Sequence, residues 1–284
     1  MIIAVTGSTG ALGSLVIQQL LDRVPAASII AIARNAAKAA DLKTKGVSVR
    51  LADYDDQAAI EKALQGVDRL LLISGKEVGK RLTQHQAVVD AAKKTGVKLV
   101  VYTSIAQAAT SKNPLAPDHR ATEEYIRTSG LPFIFLRNNW YTENYLDDAR
   151  YARDSGQISA AVGKGRVASA SRGDYAEAAA IVLAGKGQEN TIYELTGDLA
   201  WDYHDLAKAI GSVLQRPVSF VNLQEAERTQ QLLAAGLPAA VAEFVVSLDR
   251  GIAGGTLETV SPDLRKLLGR PAKSLQDVFR ENLV

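Results

Sequence analysis

The chain has 284 residues, 47% of them hydrophobic and 23% charged, a globular balance that excludes disorder and fibrous repeats. Its 33 Lys and Arg against 31 Asp and Glu leave a formal charge of +2, which gives no ground for a nucleic-acid groove or a polybasic membrane patch. With no cysteine, disulfides, thiolate nucleophiles, iron–sulfur clusters and thiolate zinc sites are excluded, and chemistry falls to a bound cofactor, to oxygen and nitrogen side chains, or to the backbone.

Residues 1–5 form a short apolar run without a basic region before it, and no later stretch reaches the roughly 18 uncharged apolar residues of a membrane-spanning helix. A cytoplasmic protein without membrane insertion is expected. The run at 2–5 enters Thr6, Gly7, Ser8, Thr9, Gly10, Ala11, Leu12 and Gly13, so a strand must turn sharply into a helix; Leu12, Leu15, Val16 and Leu20 recur on one side of that helix. Further strands are predicted at 28–33, 47–51, 69–73, 98–102 and 132–136, with helices between them, notably 81–95 and 119–129, closed by Gly96 and Gly130. Non-alternating apolar strands separated by helices specify a parallel sheet covered on both faces. A seventh strand at 191–195 follows a helix that is predicted to begin at Asp174, with Glu177 at capping-box spacing.

The order changes after about residue 197. Helices are predicted at 203–214, 225–235, 239–251, 262–268 and 275–283, with one short strand at 218–221. Ser261 reads as an N-cap before Pro262, and Ser274 as the cap of the last helix. The fold class is therefore α/β: a Rossmann-type doubly wound parallel sheet over 1–197, its loop region 139–170 contributing to the crevice, and a smaller, mostly helical C-terminal lobe over 198–284 on the substrate side.

Gly7, Gly10 and Gly13 form G-x-x-G-x-x-G between strand and helix. The first permits the tight turn, the second lets backbone approach a pyrophosphate, and the third brings helix against strand, with the helix N-terminus facing the negative charge. A dinucleotide is expected on Gly7, Ser8, Thr9, Gly10, Ala11, Leu12 and Gly13. At the end of the second strand an NAD site usually places an acidic residue on the ribose hydroxyls; here stand Arg34, Asn35 and, one turn on, Lys38. A guanidinium there suits a 2′-phosphate and hence NADPH, the alternative being a surface arginine at a helix start. Asp53, after the third strand, either accepts from the adenine amino group or caps a helix starting at Asp55 or Asp56. Ser74 and Gly75 end the fourth strand, where backbone passes close to the ribose or simply turns.

Short-chain dehydrogenases that reduce ordinary ketones use a Tyr with Lys four residues later, and none of the nine tyrosines here has one. Tyr102 closes the fifth strand near the expected site, but Ala106 stands where the lysine would be. This departure argues against an ordinary alcohol dehydrogenase but not against hydride transfer itself. A quinone or cationic dye gives a product stabilised by aromatic delocalisation, so the protein needs mainly to hold acceptor and cofactor face to face and offer a neutral donor. Residues 136–145 suit that role, with Asn139 and Tyr141 to position the acceptor and Trp140, Thr142, Glu143 and Asn144 beside the cofactor; the alternative is a structural crossover with its aromatics in the core. Arg172 either reaches the cofactor or acceptor or pairs on the surface. The histidines at 85, 119 and 204 show no metal-ligand spacing, so no metal is expected, and His119 reads either as a proton donor or as a solvated helix-start residue.

The segments 4–10, 31–35, 52–54, 74–79, 102–104, 136–145 and 168–176 together resemble the NmrA-like branch of the atypical short-chain dehydrogenase/reductases, in particular its quinone-reducing and triphenylmethane-dye-reducing members. The resemblance runs over the whole chain; the glycine motif is widely shared, whereas 136–145 is far more specific. It implies NADPH as cofactor, on residues 7–13, Arg34, Ser74, Gly75 and 139–144, with flavin-free reduction of a small planar aromatic acceptor such as a quinone. Gly75 departs from the more serine-rich pattern of the quinone-reducing members at this point, so the resemblance does not carry over a side-chain contact there. The same branch contains NADP(H)-binding redox sensors that do not turn the cofactor over, and the fold alone does not separate the two.

Overall fold

A buried apolar run, Ile3–Val5 (β1), starts the sheet and leads into α1 (Ala11–Leu21). The chain continues through β2 (Ile29–Ala33), α2 (Ala40–Thr44), β3 (Ser48–Leu51), α3 (Gln57–Ala63), β4 (Arg69–Leu72), α4 (Arg81–Thr95), β5 (Leu99–Ile105), α5 (Ala116–Ser129) and β6 (Phe133–Asn138). After them come α6 (Leu146–Ser155), β7 (Gln157–Ala160), α7 (Arg172–Ala184), β8 (Thr191–Leu195), α8 (Tyr203–Leu214), β9 (Ser219–Asn222), α9 (Glu225–Ala234), α10 (Ala239–Ala253), α11 (Asp263–Leu268) and α12 (Leu275–Leu283). The computed structural model describes residues 1–283 except Lys76 and Val78, so those two positions of the 74–79 segment lie outside the described residues.

Among the described residues the main sheet has seven parallel strands in the order β3-β2-β1-β4-β5-β6-β8, and β7 and β9 form a separate parallel pair. The order reverses at β1, and the crevice of a doubly wound sheet opens at the carboxyl ends of the strands on either side of such a point. One apolar layer packs α1 and α7 on the sheet through Val16, Leu20, Tyr175 and Leu183; the other packs α3, α4 and α5 on the opposite face through Ile60, Val88 and Ile126. A third core joins Tyr145, Ala149, Ile158 and Val167 to Trp201, Tyr203, Ile252 and Phe279, so the lobe draws on residues before and after the last sheet strand.

Several boundaries differ from the sequence reading. Strands β5 and β6 run beyond their apolar stretches because Thr103, Ser104, Arg137 and Asn138 stay in the ladder and are buried with polar partners. Helix α5 begins at Ala116, with proline in its first turn, so His119 lies inside the helix rather than at its start. Helix α7 is capped by Ser171, whose Oγ accepts the Asp174 N–H at 2.9 Å, not by Asp174. Asp174 is instead a buried anion, 2.9 Å from Arg270 Nη1, and Glu177 pairs with Arg23 and Arg270 rather than closing a capping box. Pro262 sits at the N-cap of α11, so the helix begins one residue later than expected, while Ser261 Oγ accepts the Asp263 N–H. The 139–170 region holds α6 and β7; β7 was not anticipated because it is short and its Gln157 and Ser159 are polar.

Candidate active site

Gly7 turns in the left-handed region, φ +56°, and its carbonyl accepts the Gly10 N–H at 2.9 Å. A Cβ on Gly13 would lie 2.8 Å from both the Gly7 carbonyl carbon and the Ser8 Cα, so α1 presses its first turn directly onto the loop. Gly10 is the extended N-cap of α1 and carries no side-chain cap, which leaves the first-turn amides of Ala11, Leu12 and Gly13 aimed out of the helix end. That is an anion cradle made of backbone, and it fits a pyrophosphate. The side chains of Ser8 and Leu12 do other work: Ser8 Oγ donates to Ile32 O at 2.9 Å, and Leu12 is buried in the α1/α7 layer. Thr9 is half-buried, and Gly7, Gly10 and Ala11 are exposed at the mouth.

Arg34 follows β2 with its side chain 70% exposed, and its Nη1 lies 3.9 Å from Asp53 and 3.8 Å from Glu77. A cation held loosely between two carboxylates at a crevice rim can exchange them for a stronger anion. Asp53 does not cap α3; Asp56 does, accepting the Ala59 N–H at 2.9 Å. Asn35 Oδ1 accepts from the Ala37 and Lys38 amides and so caps the short turn that follows. Glu77 was missed in the sequence, where nothing marks a loop glutamate as a partner of Arg34.

Tyr102 is a correction. Its side chain turns away from the crevice into the layer beneath α4 and α5, fully buried, where its hydroxyl shares a 2.7 Å hydrogen bond with His119 Nδ1. His119 is buried as well, and burial, with Arg81 and His85 nearby, pushes it down to about 3, so it is a neutral core residue and neither a solvated one nor a proton donor at the rim. On the other face of β5, Thr103 Oγ1 accepts the Ser74 N–H at 2.9 Å. The Gly75 N–H and carbonyl are both taken by side chains of α4, His85 and Arg81.

The stretch after β6 divides into two groups. Asn139 is buried, its Nδ2 donating to Leu257 O at 3.1 Å and its Oδ1 accepting the Trp140 N–H at 2.8 Å. The bond to Leu257 ties the strand end to the lobe and gives Asn139 a structural role. Trp140 packs against the lobe core, and Thr142 is buried with its hydroxyl 2.8 Å from Ser169 Oγ. The second group faces the rim. The Arg172 guanidinium stacks on Tyr141, 4.8 Å from the ring centroid, and donates to Asn144 Oδ1 at 2.6 Å, while the Arg172 N–H donates to Glu143 at 2.8 Å. Burial raises the Tyr141 phenol above its ordinary range, against the pull of Asn138 and Arg172, and so keeps it protonated. Burial likewise raises Glu143, opposed by backbone N–H groups and by Arg172.

Beyond the end of β5, Gln107 holds a left-handed φ of +54°; its N–H donates to Glu194 and its Nε2 to Thr259. These residues, with Ala106, Thr196 and Asp263, line a cavity of about 300 Å³ between the sheet edge and the segment before α11. Among the described residues no group of three His, Cys, Asp or Glu side chains is placed to hold a metal ion.

Comparison with known proteins adds the following. Residues 7–186 match a family model described as NAD(P)H-binding. The chain is 46% identical over 284 residues to quinone oxidoreductase 2 of Escherichia coli strain K12, covering 99% of both chains. The structure of an NADPH-dependent quinone oxidoreductase from Escherichia coli complexed with NADPH superposes with a TM-score of 0.95 at 45% identity over 99% of both chains. Triphenylmethane reductase from Citrobacter sp., complexed with NADP(H), superposes with a TM-score of 0.95 at 40% identity over 99% of this chain and 100% of that one.

Proposed function

Because this chain belongs to the NAD(P)H-binding family, we propose that it is an NADPH-dependent oxidoreductase that delivers hydride to a quinone or a similar planar aromatic acceptor. The observation that carries the reading is the uncapped N-terminus of α1, pressed onto the glycine loop, with Arg34 at the end of the neighbouring strand. Its relatives' quinone and dye reduction supports the choice of acceptor.

The backbone of residues 7–13 would hold the pyrophosphate, Arg34 the 2′-phosphate and Asp53 the adenine side, with Ser74, Gly75 and the Tyr141–Asn144–Arg172 group along the rest of the molecule. When bound, NADPH supplies the hydride. The protein's part is positioning and electrostatics. Tyr141, kept protonated by burial and oriented by the Arg172 guanidinium, offers a neutral hydroxyl as hydrogen-bond donor to the oxygen that gains charge as hydride converts the quinone into a hydroquinone anion, which then takes its remaining proton from water. Asn139 keeps the strand end and the lobe together, so that the face on which the acceptor rests stays fixed. Neither a flavin nor a metal enters this scheme. A cytoplasmic setting goes with it, and no helix among the described residues is long and apolar enough to cross a membrane.

The purified protein is expected to consume NADPH when given benzoquinone or a naphthoquinone, followed as loss of NADPH absorbance. Tight NADP(H) binding with no turnover on quinones, triphenylmethane dyes or small carbonyls would point to a redox sensor instead. In the same assay Arg34→Ala is expected to lower the NADPH-to-NADH ratio of kcat/KM by about tenfold or more, the loss of one or two charge-assisted bonds. An unchanged ratio removes Arg34 from that role.

A further inference from the structure

The backbone that leaves β4 for α4 is held by side chains from several elements. Ile73 N–H donates to Thr6 Oγ1 at 3.0 Å, Tyr54 donates to Ile73 O at 3.1 Å, and Ser74 N–H donates to Thr103. Gly75 is gripped on both sides: its N–H donates to His85 Nε2 at 3.0 Å, and its carbonyl accepts from Arg81 Nε at 2.8 Å. Arg81 and His85 are four residues apart in α4 and so share a face of the helix.

The hydrogen-bond partners fix the state of the ring. An amide N–H only donates, so Nε2 must carry the lone pair. Thr122 Oγ1 gives its hydrogen to Asp118 O at 2.9 Å and lies 3.0 Å from His85 Nδ1, so Nδ1 carries the proton. The ring is fully buried, with Tyr54 and Tyr102 against its edges and Arg81, His119 and Asp118 around it. Burial, with a smaller push from Arg81, holds it down to about 3, so this neutral form persists over the working pH range.

We propose that His85 is a positioning residue for the cofactor: by accepting from Gly75 as the Nδ1–H form, it sets the backbone that faces the dinucleotide at the end of β4. The proposal rests on the reading of this crevice as the NADPH site. It makes a core histidine, remote from the rim, a determinant of cofactor affinity.

Two substitutions separate the two ring nitrogens. His85→Asn keeps a donor towards Thr122 and withdraws the acceptor from Gly75, whereas His85→Gln returns an acceptor at about the reach of Nε2. His85→Asn is expected to raise the Kd and the KM for NADPH about tenfold while kcat stays within about twofold, and His85→Gln to recover most of the affinity. The melting temperature of the cofactor-free protein is measured alongside. An unchanged Kd in folded His85→Asn overturns the proposal, as does a loss in both variants that follows their melting temperatures. If His85→Asn does not fold, Thr122→Val decides: it leaves the ring but lets the proton move to Nε2, and should weaken NADPH about fivefold. An unchanged Kd there overturns the proposal. A parent protein that binds no NADPH overturns the crevice reading itself and the proposal with it, so the two failures are told apart.

Discussion

Gly13→Ala is expected to bind NADPH about a hundredfold more weakly than the parent, or not measurably. The added methyl would fall on the Gly7 carbonyl and within 2.8 Å of the Ser8 Cα, and both obstacles are backbone. A flexible side chain could swing aside, but this loop is tied down. Ser8 Oγ is bonded to β2, Thr6 Oγ1 to β4, and Gly7 already holds a left-handed turn. Relief therefore comes from lifting the first turn of α1 off the loop, and that moves the free amides that make the cradle. Overpacking of this kind costs about 1–3 kcal/mol in stability besides. Fluorescence titration with NADPH reads the affinity, and calorimetry of the cofactor-free protein reads the stability. Affinity within about threefold of the parent would mean that the close approach of helix and loop is not what binds the dinucleotide.

Acid is expected to unfold the protein well above the usual carboxylate range. His85 and His119 are each held down to about 3, mainly by burial, against about 6.5 in an unfolded chain. For a base with a depressed folded value the sign is clear: above pH 6.5 both states are neutral and stability is unaffected. Below it the unfolded chain takes up protons that the folded one refuses, so stability falls as pH descends from 6.5 towards 3. Each histidine contributes up to about 1.4 kcal/mol per pH unit, so the step from pH 7 to pH 5 removes on the order of 4 kcal/mol. Paired carboxylates such as Asp68 and Asp277 lie below their ordinary range and respond only at lower pH, whereas Asp148, pushed up to about 6 by burial, and Glu143 and Asp249, also raised by burial, gain protons first in the folded state and offset on the order of 1 kcal/mol of the histidine loss in the same window. Denaturant unfolding of the cofactor-free protein at the two pH values measures the loss. His85→Gln should make the dependence shallower, and a flat profile in the parent would show that the buried rings are not kept neutral.

Both results turn on what the sequence makes legible. Gly7, Gly10 and Gly13 announce themselves because the requirement is local: a turn, a helix end and a close approach all fall within one short segment. The parallel sheet is legible for a similar reason, since strands buried on both faces must be apolar along their length. Where polar residues are buried by distant partners, that rule fails. Arg137 extends β6 because Glu123 on α5 and Glu194 on β8 take its guanidinium at 2.6 to 2.8 Å. Asn139 is the instructive case within the site. Its residue type and its place at a strand end both suggest chemistry, yet its partner, Leu257, lies 118 residues further along, and only the fold reveals that structural bond. Tyr102 fails for another reason: β5 runs on to Ile105, so Tyr102 lies inside the strand rather than at its end, and the alternation of the strand points its ring to the wrong face. Glu77 and His85 had no local signal at all.

The path of the chain through the third core bears on how the molecule is made. After β6 it leaves the sheet, lays down α6 and β7, returns for α7 and β8, and only then supplies α8, β9 and α12 to finish the lobe. Neither part closes early: β7 waits for β9, and the layer over α7 waits for Leu264 of α11. Such long-range pairing raises contact order, which slows folding and leaves apolar surface open while synthesis continues. The parallel pair β7–β9 thus acts as a late fastening of the whole chain, and a nascent chain stalled before residue 219 would emerge with both its sheet edge and its half-built lobe unsealed.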